Sequence, residues 1–371
     1  MDAAGEIPDL DTLVERTIKK VYDRKIQAGD IDADLWKAQT EQYWKAIREG
    51  WGSAPAFFDK AQIAMLELRR NVNVFSAFKN HANILELTES LTRPDGSRLP
   101  FSEFKKLAKP ISEKYYDAWL KAEYNYAVRA SSSAAQWQKF IDNKSLLEYK
   151  TIGDGRVRDE HRKLHGTILP ADHPFWTIYY PPNGWNCRCF VRQRPSDTTL
   201  VPPGELPDVK EMFRNNVGIT SQIFDDSHPF IREIGQAQAE KIRQLAQMAT
   251  RAFERNFITR KLEENLPGLK TELKLGEQTV SVQYSKNRLK KAVSQPHADQ
   301  FEKNRAMLAI DKLIKGATYI KTALNTKDWK TQVTKYHYLL VEINKKPSYI
   351  VLEELNDGSV YFYSIVDKLK D

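Results

Sequence analysis

Cysteine is nearly absent from this chain: its 371 residues hold two, Cys187 and Cys189. Two thiols one residue apart make no disulfide framework, and a bond between them would be strained. Long apolar runs are missing too. No stretch of about 18 apolar residues occurs, and the opening MDAAGEIPDLDTL has neither a basic n-region nor an apolar h-region. The expectation is a soluble protein made in a cytoplasm, with no membrane partner. Several enzyme signatures are also lacking: no Gly-x-x-x-x-Gly-Lys phosphate loop, no His-Glu-x-x-His zinc protease site and no Gly-x-Ser-x-Gly elbow. Nothing repeats at a fixed period. Nor is there an acidic excess, since 57 Lys and Arg stand against 49 Asp and Glu, giving a net charge of +8. That balance favours polyanionic partners, DNA or RNA, without saying anything of specificity.

What is present is concentrated between Gly153 and Gln193. Both cysteines and three of the seven histidines, His161, His165 and His173, fall inside these forty or so residues. His161 and His165 stand at i and i+4, so on a helical turn they share a face. Cys187 and Cys189 follow after some twenty residues and could close a tetrahedral nitrogen and sulfur site, a structural zinc knot. A metal-free, hydrogen-bonded knot is the competing reading, because Cys-x-Cys is tighter than the usual Cys-x-x-Cys knuckle and buried thiols are common.

The same stretch carries a resemblance. Asp154, Arg156, Val157, Arg158, His161, the Leu164-His165-Gly166 turn, the His173-Pro174-Phe175-Trp176 run, Pro181-Pro182-Asn183-Gly184-Trp185 and Asn186-Cys187-Arg188-Cys189 together resemble the phage Mu F-type head morphogenesis family. The resemblance implies a structural core motif of Asp154, Arg156, His161, His165, Asn186, Cys187, Arg188 and Cys189. It also implies a minor head protein of a phage or prophage, found in the bacterial host cytoplasm and in the virion head. Its implied partners are the portal, other head proteins and packaged DNA. Members of the family often carry a cysteine pair where this chain has Arg158 and His161. An arginine cannot ligate zinc, which leaves His165 or Asp154 as substitutes.

Around this stretch the pattern is helical from Asp9 to about Lys150, with Leu13, Val14, Ile18, Val21 and Tyr22 at three- and four-residue steps. A second helical run starts after Pro55 through Phe57 and Phe58, and Arg93-Pro94-Asp95-Gly96-Ser97 interrupts it. The proline-rich tail from Arg194 to Pro207 ends a domain, and Pro229 to about Leu262 reads as a long helix. Beyond Asn265 the pattern becomes strand, helices, then four strands, with hairpin turns at Asn344-Lys345-Lys346-Pro347 and Asn356-Asp357-Gly358. The expected fold is multidomain. A mainly α arm spans 1–130, a small α+β Mu F-type core 131–203, a linker and long helix 204–262, and an α+β domain with an antiparallel sheet 263–371.

In the last region, 14 basic residues stand against 5 acidic ones between Lys286 and Lys346. A basic face with His297 and the Tyr336-His337-Tyr338 strand is compatible with a metal-independent ribonuclease, which needs a general base, a general acid and a cation for the phosphorane charge. The order of elements resembles the barnase, EndoU, colicin and RelE-like nucleases. That resemblance implies His297, Lys335, His337 and Tyr336 as catalytic candidates, no cofactor, and an acidic immunity protein as partner. Against it, His297 follows Pro296 at a helix start, where a histidine is more often a solvated or capping residue. His337 alternates with Leu339 and Val341 and reads as a satisfied core histidine. A structural head protein with a nucleic-acid- or protein-binding module is the alternative.

Overall fold

The protein is described from a computed structural model, which covers residues 9–53, 55, 59, 61–142 and 145–369. Phe57 and Phe58 lie outside the described residues. The chain divides into two compact units, Met1–Ala54 with Ala64–Gln247, and Pro55–Ile63 with Met248–Asp371. The helical arm and the motif region therefore share the first unit.

The first unit begins with α1 (Leu10–Tyr22), α2 (Ala33–Trp51), α3 (Ala61–Glu89), α4 (Phe101–Glu113) and α5 (Trp119–Asp142), with a π-helical turn at Lys114–Ala118. Asp9 and Asp32 start α1 and α2 by accepting hydrogen bonds from Thr12 N and from Asp34 and Leu35 N, which satisfies free amides at the helix ends. The predicted 3.6-residue stripe is the one that is buried. Leu13, Val14, Ile18 and Val21 pack with Leu35, Ile84, Leu87, Phe104, Tyr115 and Tyr116. Gly50 lets α2 meet α5, since a Cβ there would lie 1.9 Å from the Val128 carbonyl oxygen. Deep in this bundle Lys79, fully buried, is paired with Glu123, which also accepts from the Tyr43 hydroxyl.

Helix does not continue to Lys150 as the periodicity suggests. Leu146–Lys150 is a strand, β1, at the centre of a three-stranded antiparallel sheet. Its neighbours are β2 (Ile168–Pro170) and β3 (Phe190–Arg194). Leu147 and Tyr149 alternate with Glu148 and Lys150, a period of two that a helical reading overrides in so short a run. Two short helices, α6 (Asp159–Arg162) and α7 (Phe175–Tyr179), lie between the strands in sequence. Trp137, Leu147, Tyr149, Leu164, Phe175, Trp176, Tyr180 and Val191 form their core. Short helices α8 (Val217–Thr220) and α9 (Pro229–Arg232) follow, then the long α10 (Gln236–Asn265).

The second unit takes α10 from Met248 onward and adds a six-stranded sheet and three short helices. Its strands are β4 (Lys270–Leu275), β5 (Gln278–Gln283), β6 (Thr318–Leu324), β7 (Val333–Ile343), β8 (Lys346–Leu355) and β9 (Val360–Val366), in the order β4-β5-β9-β8-β7-β6. The helices α11 (Lys286–Ser294), α12 (Gln300–Ala306) and α13 (Ile310–Lys315) connect β5 to β6. Two details depart from expectation. β4 is a strand the sequence reading passed over, although Thr271 and Leu273 alternate with Lys270, Glu272 and Lys274. The sheet is also mixed, because β5 pairs in parallel with β9. Both hairpin turns stand where the sequence places them. Asn344 and Lys345 adopt φ of 52° and 58°, the left-handed pair a two-residue hairpin requires. The core joins Leu289, Val293, Ile310 and Ile314 of the helices to Leu339, Ile350, Leu352 and Phe362 of the sheet, all buried. Lys303, also fully buried, donates to the Ala292 and Gln295 carbonyls and so closes the C-terminal end of α11.

Candidate functional site

The motif residues of the first unit converge through their folding elements. Trp176 donates its indole N–H to the Pro170 carbonyl, and Asn183 donates to the carbonyl of Ile178 while accepting from the Tyr149 hydroxyl. Of these, the buried Tyr149–Asn183 bond ties the Pro181–Trp185 loop to the sheet. Arg158 donates to the Trp185 carbonyl at 2.6 Å and lies against Gly184, where a Cβ would come within 2.9 Å of its guanidinium. Asn186 takes the left-handed conformation, φ 56°, and turns the chain into Cys187. Arg188 then grips Asp154 through two parallel bonds of 2.7 and 2.6 Å. That guanidinium, helped by the Arg156 amide, holds the Asp154 carboxyl down at about 2.

At the centre of this framework His161 Nδ1 lies 3.6 Å from Cys187 Sγ and 3.5 Å from Cys189 Sγ. His161 and Cys187 are buried and Cys189 half-buried, and both thiols are free. The two thiols act on each other: Cys187 is held well below the ordinary thiol range by the S–H of Cys189 and then by His161, while Cys189 is pushed up. A thiolate is what a metal would need. Tetrahedral zinc with bonds of about 2.3 Å to sulfur and 2.05 Å to nitrogen sets sulfur and nitrogen about 3.6 Å apart, and the two observed separations match that spacing. Among the described residues no fourth His, Cys, Asp or Glu joins the group.

His165 does not join it. Helix α6 ends at Arg162, so the four-residue helical spacing breaks before it reaches His165, which lies in the turn closed by Gly166 at φ 83°. Its Nδ1 faces Thr151 N and Oγ1 at 3.2 and 2.8 Å, and its Nε2 lies 3.1 Å from Lys150 Nζ. Asp154 is likewise occupied by Arg188. The three donors open instead onto a cavity of about 630 Å³ lined by Arg129, Arg156, Arg158 and Arg188, with Glu49 as its one carboxylate.

The second unit separates the four catalytic candidates. His337 is buried, with Nδ1 2.7 Å from Thr322 Oγ1 and Nε2 3.0 Å from Glu354 Oε2. Lys335 donates to the other Glu354 oxygen at 2.8 Å. Burial lowers the His337 pKa, against the pull of Glu354. His297 sits between α11 and α12, where Nδ1 accepts from Asp299 N and Nε2 lies 3.2 Å from Ser348 Oγ. Ser348 pairs with Val341, four residues along β7 from His337, a strand distance of about 13 Å. Tyr336 points to the opposite face of the sheet, as alternation requires.

On that opposite face Tyr336, Glu353 and Tyr361 form one row across β7, β8 and β9. Glu353 is 3% exposed and is held by Arg288 Nε at 3.1 Å and by the Lys330 ammonium. The sequence reading missed this group. The usable signal was the phase of β8: residues 350 and 352 are core-facing, so 353 falls on the other side, among tyrosines.

Residues 101–192, which hold the arginine-clamped loop and the Cys-Arg-Cys turn, match the family described as phage Mu protein F like protein. Residues 240–363 match a second family, large polyvalent protein-associated domain 3. The chain is 40% identical over 72 residues to the putative capsid assembly protein F of Escherichia phage Mu, covering 19% of this chain and 16% of that protein. It is 44% identical over 57 residues to the Mu-like prophage FluMu F protein of Haemophilus influenzae, 15% of this chain and 14% of that one. An uncharacterized protein of Methanocaldococcus jannaschii is 30% identical over 120 residues, 32% of this chain and 18% of that one. The chain thus spans less than a fifth of each of these relatives. No solved structure matches it. Among the described residues no helix is long and apolar enough to cross a membrane.

Proposed function

We propose that this chain acts in the assembly of a phage or prophage head, with the Mu F-type domain as its attachment module. Its place is then the bacterial host cytoplasm and, after assembly, the virion head. The observation that carries the reading is the Asp154–Arg188 clamp around the His161, Cys187 and Cys189 group, inside residues 101–192, which match the phage Mu protein F like family. Portal association is the finer form of the proposal, and copurification of the chain with portal protein from cell lysates tests it. For the broader claim, the gene is deleted from its phage or prophage and particles are counted by electron microscopy. Loss of filled heads, restored by the wild-type gene and not by an Arg188→Ala version, is expected. Normal head numbers in the deletion would overturn the proposal.

A structural zinc ion belongs to this reading. His161, Cys187 and Cys189 would hold it, and it would cross-link the α6 turn to the Cys-Arg-Cys turn as a fold-stabilising centre.

For the second unit we propose contact with nucleic acid rather than cleavage of it. His297 and His337 stand too far apart to serve one phosphate, and both His337 nitrogens are engaged. The excess of 14 basic over 5 acidic residues between Lys286 and Lys346 supports the binding reading. An acidic immunity protein belongs to the ribonuclease reading and is not carried forward.

A further inference from the structure

The face of the second unit that carries Glu353 combines rings and cations in a way the core does not need. Tyr336, Tyr338 and Tyr363 lie there with Val333, Val351 and Leu355, and Tyr361 stands in the Glu353 row. Each of three tyrosine rings has a cation beside it. Arg288 lies 4.5 Å from the centre of Tyr361, Lys330 4.0 Å from Tyr363, and Lys327 5.4 Å from Tyr336. Lys291 adds a fourth cation, 5.2 Å from Tyr363.

The loop between β6 and β7 completes the face. Asn325 fastens it by donating to the carbonyls of Lys327, Lys330 and Val333. This holds Trp329 outward, 73% exposed, a large cost in unburied apolar surface, with Lys327 and Lys330 5.9 and 5.6 Å from its ring. Glu353 fixes Arg288 and Lys330 in place and cancels one of their charges. Lys291 and Lys327 are exposed, and among the described residues neither has an acidic partner. Asp328 is the one carboxylate of the loop.

We infer that this face binds single-stranded nucleic acid, with Trp329 and the half-exposed Tyr361 and Tyr363 stacking on bases and Lys291, Lys327, Arg288 and Lys330 meeting the phosphates. Rings interleaved with cations suit a strand whose bases are free to stack, whereas a duplex buries those base faces within itself. The charge is complementary to a phosphodiester backbone, and stacking on rings tolerates any base. This inference rests on the nucleic-acid reading of the second unit and locates its site.

The test uses the full chain and fluorescence anisotropy with labelled 20-nucleotide oligothymidylate, oligouridylate and a 20-base-pair duplex, across a salt series. The wild type should bind at least one of the single strands more tightly than the duplex. Trp329→Ala should weaken that binding by about 5- to 150-fold, the loss of one stacked base. Lys291→Glu with Lys327→Glu should flatten the salt dependence by about 1.4 in logarithmic slope, two phosphate contacts on a single strand. Both changes are on exposed side chains, and circular dichroism confirms that the variants are folded. Absence of wild-type binding to all three probes would overturn the nucleic-acid reading together with this site. Binding that is unchanged in both variants, or equally tight to duplex, would overturn this site alone.

Discussion

His161 and His337 are both nearly buried, at 3% and 5% exposure, yet they are placed for different ends. Around His337 the partners are oxygen atoms, a threonine hydroxyl and a glutamate, so each ring nitrogen has its hydrogen bond and the carboxylate has Lys335 besides. Such a network is complete and rigid, and its residues have nothing left for a substrate. Around His161 the partners are two sulfur atoms at metal-ligand spacing, with Asp154 drawn off by Arg188 and the cavity beyond lined by arginine. Sulfur is a poor hydrogen-bond partner and a good metal ligand. Burial alone therefore does not distinguish the two histidines; the chemistry of the atoms around each ring does.

A third histidine sharpens the contrast. His228 caps α9 through Nδ1, and its ring is buried among Phe75, Phe224 and Phe230 near Lys79. Burial pushes its pKa down from 6.5 to about 4. The unfolded chain therefore takes up this proton first as pH falls. Its contribution to stability should be full above pH 6.5 and reduced by about 3 kcal/mol at pH 4. Denaturant unfolding followed at pH 7, 5.5 and 4 measures this, and His228→Phe should remove most of the decline. An equal decline in the variant would assign it to other groups.

The closed network around His337 should cost stability and nothing else. His337→Ala removes one hydrogen bond from the Glu354 carboxylate, which keeps Lys335, and one from the Thr322 hydroxyl, which keeps Tyr319, a loss of about 1–3 kcal/mol. Oligonucleotide affinity should not change, because Glu354 and His337 lie on the face away from Trp329. An affinity loss in a folded His337→Ala protein would contradict the assignment of the two faces.

The smallest effect is expected at the clamp. Asp154 has its pKa lowered from 3.8 to about 2 by Arg188, so its contribution is present above pH 3.8 and is lost as pH falls through 2. Asp154→Asn should shift the acid unfolding midpoint upward slightly and leave the pH 7 fold intact by circular dichroism. A midpoint unmoved by the substitution would show that the clamp does not titrate with the fold.

How much of this could be read in the sequence differs between the two regions. The Mu F-type motif was legible because many residue types recur in a fixed order, and the structure gathers Asp154, Arg156, His161, Asn186, Cys187, Arg188 and Cys189 in one place. Helical spacing pairs His165 with His161 as a possible ligand, and that spacing ends when α6 stops at Arg162. In the second unit the strands other than β4 and the turns are legible from alternation and from Asn-Asp-Gly. The parallel β5–β9 pairing was not, since it depends on a contact between Val282 and Val360 that no local pattern encodes. Glu353 was hidden for the same reason. Its meaning comes from Arg288 and Lys330, which are distant in sequence and meet it only after the sheet has formed.

The contrast between the two histidines is tested most directly by metal content. The untagged full chain is purified without added metal, and zinc per chain is measured by elemental analysis beside Cys187→Ala and His337→Ala proteins. About one zinc per chain in the wild type and in His337→Ala, with loss in Cys187→Ala, is the predicted result. A folded wild-type protein with no zinc, which gains none when the ion is supplied, would contradict the account of the His161 site.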